Sequence, residues 1–245
     1  VISVEQELVP YECSRLPPGP YLIFAPHPDD ETFGMGGTIA HAAADGVNIA
    51  VAFVTDGSGD GNPQERKREA QKAAEILGIS RLFFMNVRDR NAWAERERIC
   101  KEAERLLDEL RPKTVFSPSL FEYHPDHRAT TVAVWQSIKD AGWEGSVWLY
   151  EIGHQGEINR LISIDTYIDR KVEAIRMYSS QLAKNHYEEV VLSINKARTF
   201  TLRNSRFAEG FFALESHESI FKVLEHRKLY LKGLLSLWKR LVKRV

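Results

Sequence analysis

Ala25-Pro26-His27-Pro28-Asp29-Asp30-Glu31 is the stretch on which the fold turns, because an apolar run ends there in a knot of metal-ligand and acid-base side chains. The residues before it, Tyr21-Leu22-Ile23-Phe24, have the composition of a buried strand, so the knot emerges at the strand's carboxyl end. Open α/β sheets place their chemistry at that end. Prolines on both sides of His27 discourage helix and hold the segment as a stiff, extended loop. A helix is predicted just after it, from Thr32 to Ala44. His27 and Asp30 can then converge on one ion while Asp29 points to a different side of it.

Outward from this stretch the pattern alternates. Further strands are predicted at Val47 to Thr55, Arg81 to Val87, Thr114 to Pro118, Ser146 to Ile152 and, shorter, Leu161 to Ile164. Helices are predicted at Gln64 to Leu77, Ala92 to Leu110, Arg128 to Asp140 and Tyr167 to Ser179. Strand-helix alternation predicts a Rossmann-like α/β fold, a mostly parallel sheet with helices on both faces. At 245 residues the chain can bury one large core, and we assign residues 1–218 to a single domain.

Two glycine clusters invite a nucleotide assignment. Gly34-Met35-Gly36-Gly37 follows a strand and opens a helix, but the third glycine of a dinucleotide fingerprint falls on Ile39, and the nearby carboxylates would repel a pyrophosphate. Thr55-Asp56-Gly57-Ser58-Gly59-Asp60-Gly61 leaves the second strand on the same edge as the acidic knot, as an active-site rim or lid would.

A second cluster, Tyr123-His124-Pro125-Asp126-His127, follows the fourth strand at that same edge. His124 and His127 are three apart at a helix start and can share a face, and Asp126 is available as the carboxylate that fixes an imidazole tautomer. Two histidine-carboxylate clusters, each ending a strand of one parallel sheet, point to a metal centre.

These two clusters resemble the signatures of the zinc-dependent N-acetylglucosaminyl de-N-acetylases, the LmbE/PIG-L superfamily, with Pro26 where that family commonly has alanine. Weaker similarities extend the resemblance over roughly residues 20–213: Thr55-Asp56-Gly57, Arg66 to Glu69, Leu77-Gly78, Lys171, Tyr178, Ser180-Gln181 and Ala208-Glu209-Gly210-Phe211. The resemblance implies that His27, Asp30 and His127 bind zinc, that Asp29 is the general base, and that His124, oriented by Asp126, assists at the oxyanion. It also implies that Arg66 and Asp89 reach a small amino-sugar conjugate. Arg88 and Arg90 flank Asp89 where the family has proline and glycine, which suits an anionic group on that sugar. The residues themselves agree: two histidines and a carboxylate leave an open zinc position for water, and an unligated carboxylate stands beside them. Fe2+ can occupy such sites too, and the same donor set describes the facial triad of iron oxygenases. A metal-containing binding protein on the same fold would need the ligands but neither Asp29 nor His124.

Composition narrows the classes further. A formal net charge of −1 gives no global attraction for nucleic acid or membrane. Cys13 and Cys100, the only cysteines, form no Cys-X-X-Cys pair and are expected as free thiols in a cytoplasmic protein. The visible start, with Glu5 and Glu7, lacks a signal-peptide pattern. Residues 219–245 are predicted to form a basic amphipathic helix: Ile220, Leu224, Leu231, Leu234, Trp238, Leu241 and Val245 make one apolar stripe among lysines and arginines. Such a stripe packs on the domain or on a second subunit of a homo-oligomer. Alternatively, it lies on an anionic membrane surface as a peripheral contact.

Overall fold

In the computed structural model, which describes residues 9–220 and 222, Tyr21–Ala25 is buried along its whole length. Tyr21, Ile23 and Ala25 face one core, Leu22 and Phe24 the other. The period of two explains the unbroken apolar run: this strand has a core on each side. In chain order the elements are β1 (Tyr21–Ala25), α1 (Asp30–Ala44), β2 (Ile49–Thr55), α2 (Pro63–Leu77), β3 (Arg81–Val87), α3 (Arg96–Leu110), β4 (Thr114–Pro118), α4 (Pro125–Asp140), β5 (Ser146–Tyr150), β6 (Arg160–Ser163), α5 (Ile168–Arg176), α6 (Ser179–Leu182), α7 (Tyr187–Ala197) and β7 (Ala208–Glu215).

The strands form one sheet in the order β3-β2-β1-β4-β5-β7-β6. From β3 through β5 all pairings are parallel, and β7 runs antiparallel between β5 and β6. Helices α1, α2 and α5 cover the face that carries Ile23, while α3 and α4 cover the face that carries Phe24. The strand order reverses between β1 and β4, and at such a switch point the connections leave in opposite directions and open a crevice.

Local signals set most boundaries. Asn62 caps α2 by accepting from the backbone N–H of Gln64 and Glu65, Pro63 stands in its first turn, and Gly78 closes it at φ 79°. The start of α3 lies at Arg96 rather than Ala92 because Arg90 adopts φ 66° and the Ala92 N–H is committed to the Asp126 carboxylate. Three elements, α6, α7 and β7, were not predicted. Gly210 lies inside β7 and weakens it as a strand signal, yet a Cβ there would stand 2.7 Å from Glu151 Oε2.

The glycines after β1 serve packing. A Cβ on Gly34 would stand 2.5 Å from the Tyr150 ring, and one on Gly37 2.6 Å from Ile164. Helix α1 is broken between them, at Met35 (φ −145°, ψ 23°). Both broken ends are satisfied by buried side chains. Lys171 donates to Phe33 O at 2.9 Å and to Glu209 at 2.7 Å, and Glu209 accepts from the N–H of Gly37 and Thr38.

No helix among the described residues is long and apolar enough to cross a membrane. The helix predicted over 219–245 lies outside the described residues, except at its start, where Ile220 is buried against the α3–α4 face.

Candidate metal centre

The carboxyl ends of β1 and β4 meet at the switch point, and the two polar clusters meet with them. Thr55 fixes the loop after β1, donating through both its N–H and its hydroxyl to Pro26 O, each at 2.8 Å. Asp29 then takes φ 145°, a conformation that favours glycine and costs a residue with a side chain about 1–3 kcal/mol. The backbone turns sharply there, and Asp29 and Asp30 are sent to different partners.

His27 Nδ1, Asp30 Oδ2 and His127 Nε2 form a triangle with edges of 3.1, 3.2 and 3.3 Å. Donors bound tetrahedrally at zinc distances stand roughly 3.3 Å apart, so the triangle has the size an ion requires. The far side of each imidazole supports this. His27 Nε2 faces Asp89 Oδ1 at 3.2 Å and Asp126 Oδ2 at 3.5 Å, and His127 Nδ1 faces Glu122 Oε2 at 3.7 Å. Protons on those outer nitrogens leave three lone pairs converging on one point, which demands positive charge there. The titrations express the same demand. Burial lowers both imidazoles, but hydrogen bonds to Asp126, Asp30 and Asp89 hold His27 well above its ordinary value, and Asp30 and Glu122 push His127 up to about 9. Burial opposes ionisation of Asp30, yet His127 and His27 hold it well below the usual carboxylate range.

Donor atoms of His27, His124 and His127, and of His27, Asp89, His124 and Asp126, also lie within 4.8 Å of one another. The His27–Asp30–His127 triangle is tighter. Asp126 is already engaged by the N–H groups of Arg90 and Ala92, and Asp89 by that of Gly59.

Beside the triangle, Asp29 is buried and receives Arg66 Nη2 at 2.9 Å. Burial raises its carboxyl, Arg66 lowers it, Asp30 raises it again, and the balance is a value of about 7.

Residues 22–138 match a family model described as PIG-L, GlcNAc-PI de-N-acetylase. The matched stretch runs from β1 into α4. A diacetylchitobiose deacetylase of Thermococcus kodakarensis is 26% identical over 216 residues, 77% of this chain and 80% of that one. A probable N-acetyl-alpha-D-glucosaminyl L-malate deacetylase of Bacillus anthracis is 29% identical over 198 residues, 69% of this chain and 87% of that one. Among solved structures, the N,N'-diacetylchitobiose deacetylase of Pyrococcus horikoshii superposes with a TM-score of 0.73 at 26% identity, covering 83% of this chain and 88% of that one.

The remaining expected residues are close to the triangle, but several have other partners than the sequence suggests. His124 caps α4, its Nδ1 accepting from the Asp126 N–H at 3.2 Å, so a neutral ring carries its proton on Nε2. Burial, His27 and His127 all lower its pKa, which keeps it neutral. The Asp126 carboxylate therefore does not orient His124, as expected; it faces His27 instead, because α4 begins at Pro125 and turns that side chain back under the first cluster. Arg66, expected to reach the sugar, is buried on Asp29 and Pro28 O. Asp89 bonds His27 and Gly59 N, tying the glycine loop to a candidate ligand. Arg88 and Arg90, on either side of it, are exposed. Glu31 turns into the core, bonded by Tyr178 and Thr32. Glu122 escaped the sequence reading altogether, since nothing near it in the chain marks it. Its partners lie 30 to 32 residues on, at Ile152, Gly153 and His154.

Proposed function

We propose that the protein removes the N-acetyl group from an N-acetylglucosamine-type sugar conjugate, releasing acetate and a free amine, with a divalent cation held by His27, Asp30 and His127. Similarity to the PIG-L family model and to named deacetylases supports an enzyme that cleaves amide bonds. The observation that carries the finer proposal is the ion-sized triangle with an unligated, buried Asp29 beside it.

Two nitrogens and one oxygen suit Zn2+, and Fe2+ accepts the same set. When bound, the ion supplies Lewis acidity toward a water and an acyl oxygen. Asp29 takes the proton of the attacking water and returns it to the departing nitrogen. Arg66 holds that carboxylate in place and keeps its pKa from rising further. His124 offers its Nε2–H to the acyl oxygen as negative charge develops there.

The relatives named above are described as acting on diacetylchitobiose and on an N-acetylglucosaminyl malate, which share the acetylated sugar and differ in what is attached. Exposed Arg88 and Arg90 beside Asp89 favour an anionic attachment here. Mass spectrometry of products formed by Zn2+- and Fe2+-loaded protein from neutral and anionic N-acetylglucosamine conjugates tests the proposal. Deacetylation, faster with anionic conjugates, is expected. Metal bound with every conjugate untouched would leave a binding protein on this fold.

A further inference from the structure

We infer that Glu122 positions His127, presenting its Nε2 to the triangle and tying this ligand to the loop after β5. The inference rests on the metal centre proposed above.

Glu122 is 2% exposed and sits between β4 and α4. Its Oε1 accepts from the N–H of Ile152 at 2.8 Å and of His154 at 3.4 Å, and its Oε2 from that of Gly153 at 3.1 Å. Arg128 Nη1 donates to the Glu122 and Tyr123 carbonyls and holds the backbone from below. Three neutral donors from successive residues fix the carboxylate, which offers about four acceptor sites. The remaining side faces His127 Nδ1 at 3.7 Å, an electrostatic contact longer than a hydrogen bond. That Nδ1 is buried and has no hydrogen-bond partner among the described residues.

Only one tautomer of a neutral His127 suits this arrangement. A lone pair on Nδ1 would face a buried carboxylate oxygen across a gap with no donor in it. A proton on Nδ1 is attracted to that oxygen and leaves the lone pair on Nε2, the atom 3.2 Å from Asp30 and 3.3 Å from His27. His27 is handled in mirror fashion, with Nε2 against Asp89 and Nδ1 in the triangle. Each candidate histidine ligand thus has its own carboxylate behind it, on a different loop. The loop behind His127 carries His154, whose Nδ1 meets the hydroxyl of exposed Tyr123 at 2.9 Å. Glu122 therefore joins the aromatic rim of the site to a ligand inside it.

A carboxylate behind a histidine ligand is worth roughly 10- to 100-fold in metal affinity. Glu122→Gln keeps the shape and removes the charge, at the cost of one acceptor, that of the Gly153 N–H. Three measurements decide the inference: Zn2+ affinity by competition with a chromophoric chelator, thermal unfolding of the metal-free protein, and nitrogen-15 shifts of His127 in metal-free protein on the alkaline side of its titration. The expected result is Zn2+ affinity reduced about 10- to 100-fold, a metal-free protein that still unfolds cooperatively with a modestly lower midpoint, and loss of the Nδ1–H preference. An unchanged tautomer, or Zn2+ affinity within about twofold of the parent against that expectation, overturns the inference. If Glu122→Gln does not fold, Glu122→Asp, which retracts the charge, is read the same way. Absence of Zn2+ binding in the parent protein would instead count against the metal centre, and the tautomer would still judge Glu122.

Discussion

A general base works best with its pKa near the working pH, and Asp29 is brought there by opposed influences: burial raises it, Arg66 lowers it, and the result is about 7. Because Asp29 touches Arg66 and lies outside the ligand triangle, Asp29→Asn should retain bound metal and lose roughly 10²- to 10⁴-fold in kcat. Metal analysis beside turnover checks this, and near-normal kcat would mean another base. Arg66→Met removes a lowering influence, so the Asp29 pKa should rise and the acid limb of kcat/KM should move to higher pH. Activity lost near neutrality should then return as the pH rises. A bound cation lowers the limb in parent and variant alike, so the shift between them keeps its sign. If Arg66 served the sugar instead, KM would rise with the limb unmoved. At this scale the sequence showed who is present better than who is paired. His27, Asp30 and His127 were legible because each cluster is contiguous and ends a recognisable strand. The side-chain partners of Arg66, Asp89 and Asp126, and the backbone donors that fix Glu122, lie 30 or more residues away in the chain and depend on how loops fold back, which no local pattern encodes.

Among the elements, α1 carries the site and is the least regular. Its first turn supplies Asp30 and its N-terminal boundary is Asp29, while the break at Met35 lets its two halves follow different directions. The Lys171–Glu209 pair, fully buried, holds both halves against α5 and β7. Burial lowers the Lys171 pKa while Glu209 supports its charge, so each depends on the other. Lys171→Met should cost about 3–5 kcal/mol, the usual penalty for stranding one partner of a buried pair. Urea unfolding measures this, and a loss below about 1 kcal/mol, the worth of an exposed pair, would mean that the pair does not hold the break together. The glycines of this helix were legible as special but not in purpose. The acidic surroundings argued against phosphate, yet the real demand, approach to Tyr150 and Ile164, comes from elements more than a hundred residues on. The element β7 was hidden for a related reason, since its interior glycine makes room for Glu151 at the expense of strand propensity.

For the whole molecule, the parallel order was legible from strand-helix alternation, and the antiparallel β7 was not, because a strand inserted late between β5 and β6 breaks that alternation. The order β2-β1-β4-β5 places the two clusters on strands adjacent in space but separated by two whole βα units in sequence. A cation held by His27, Asp30 and His127, as proposed, would bridge the crevice where the two halves of the sheet diverge. It would bind the folded chain and find no such triangle in the unfolded one, so binding would add stability by mass action. At about 100 times its dissociation constant that amounts to about 2.7 kcal/mol. In a chain of this length each kcal/mol moves the melting temperature by about 2–4 °C. Zn2+ should thus raise the midpoint by roughly 5–11 °C, and a chelator should reverse the gain. His27→Ala and His127→Ala should each abolish the metal-dependent shift together with activity. Calorimetric scans with and without Zn2+ make the comparison. A full Zn2+-dependent rise persisting in both variants would place the ion away from His27 and His127, and so outside the Asp89–Asp126 group too, since that group shares His27.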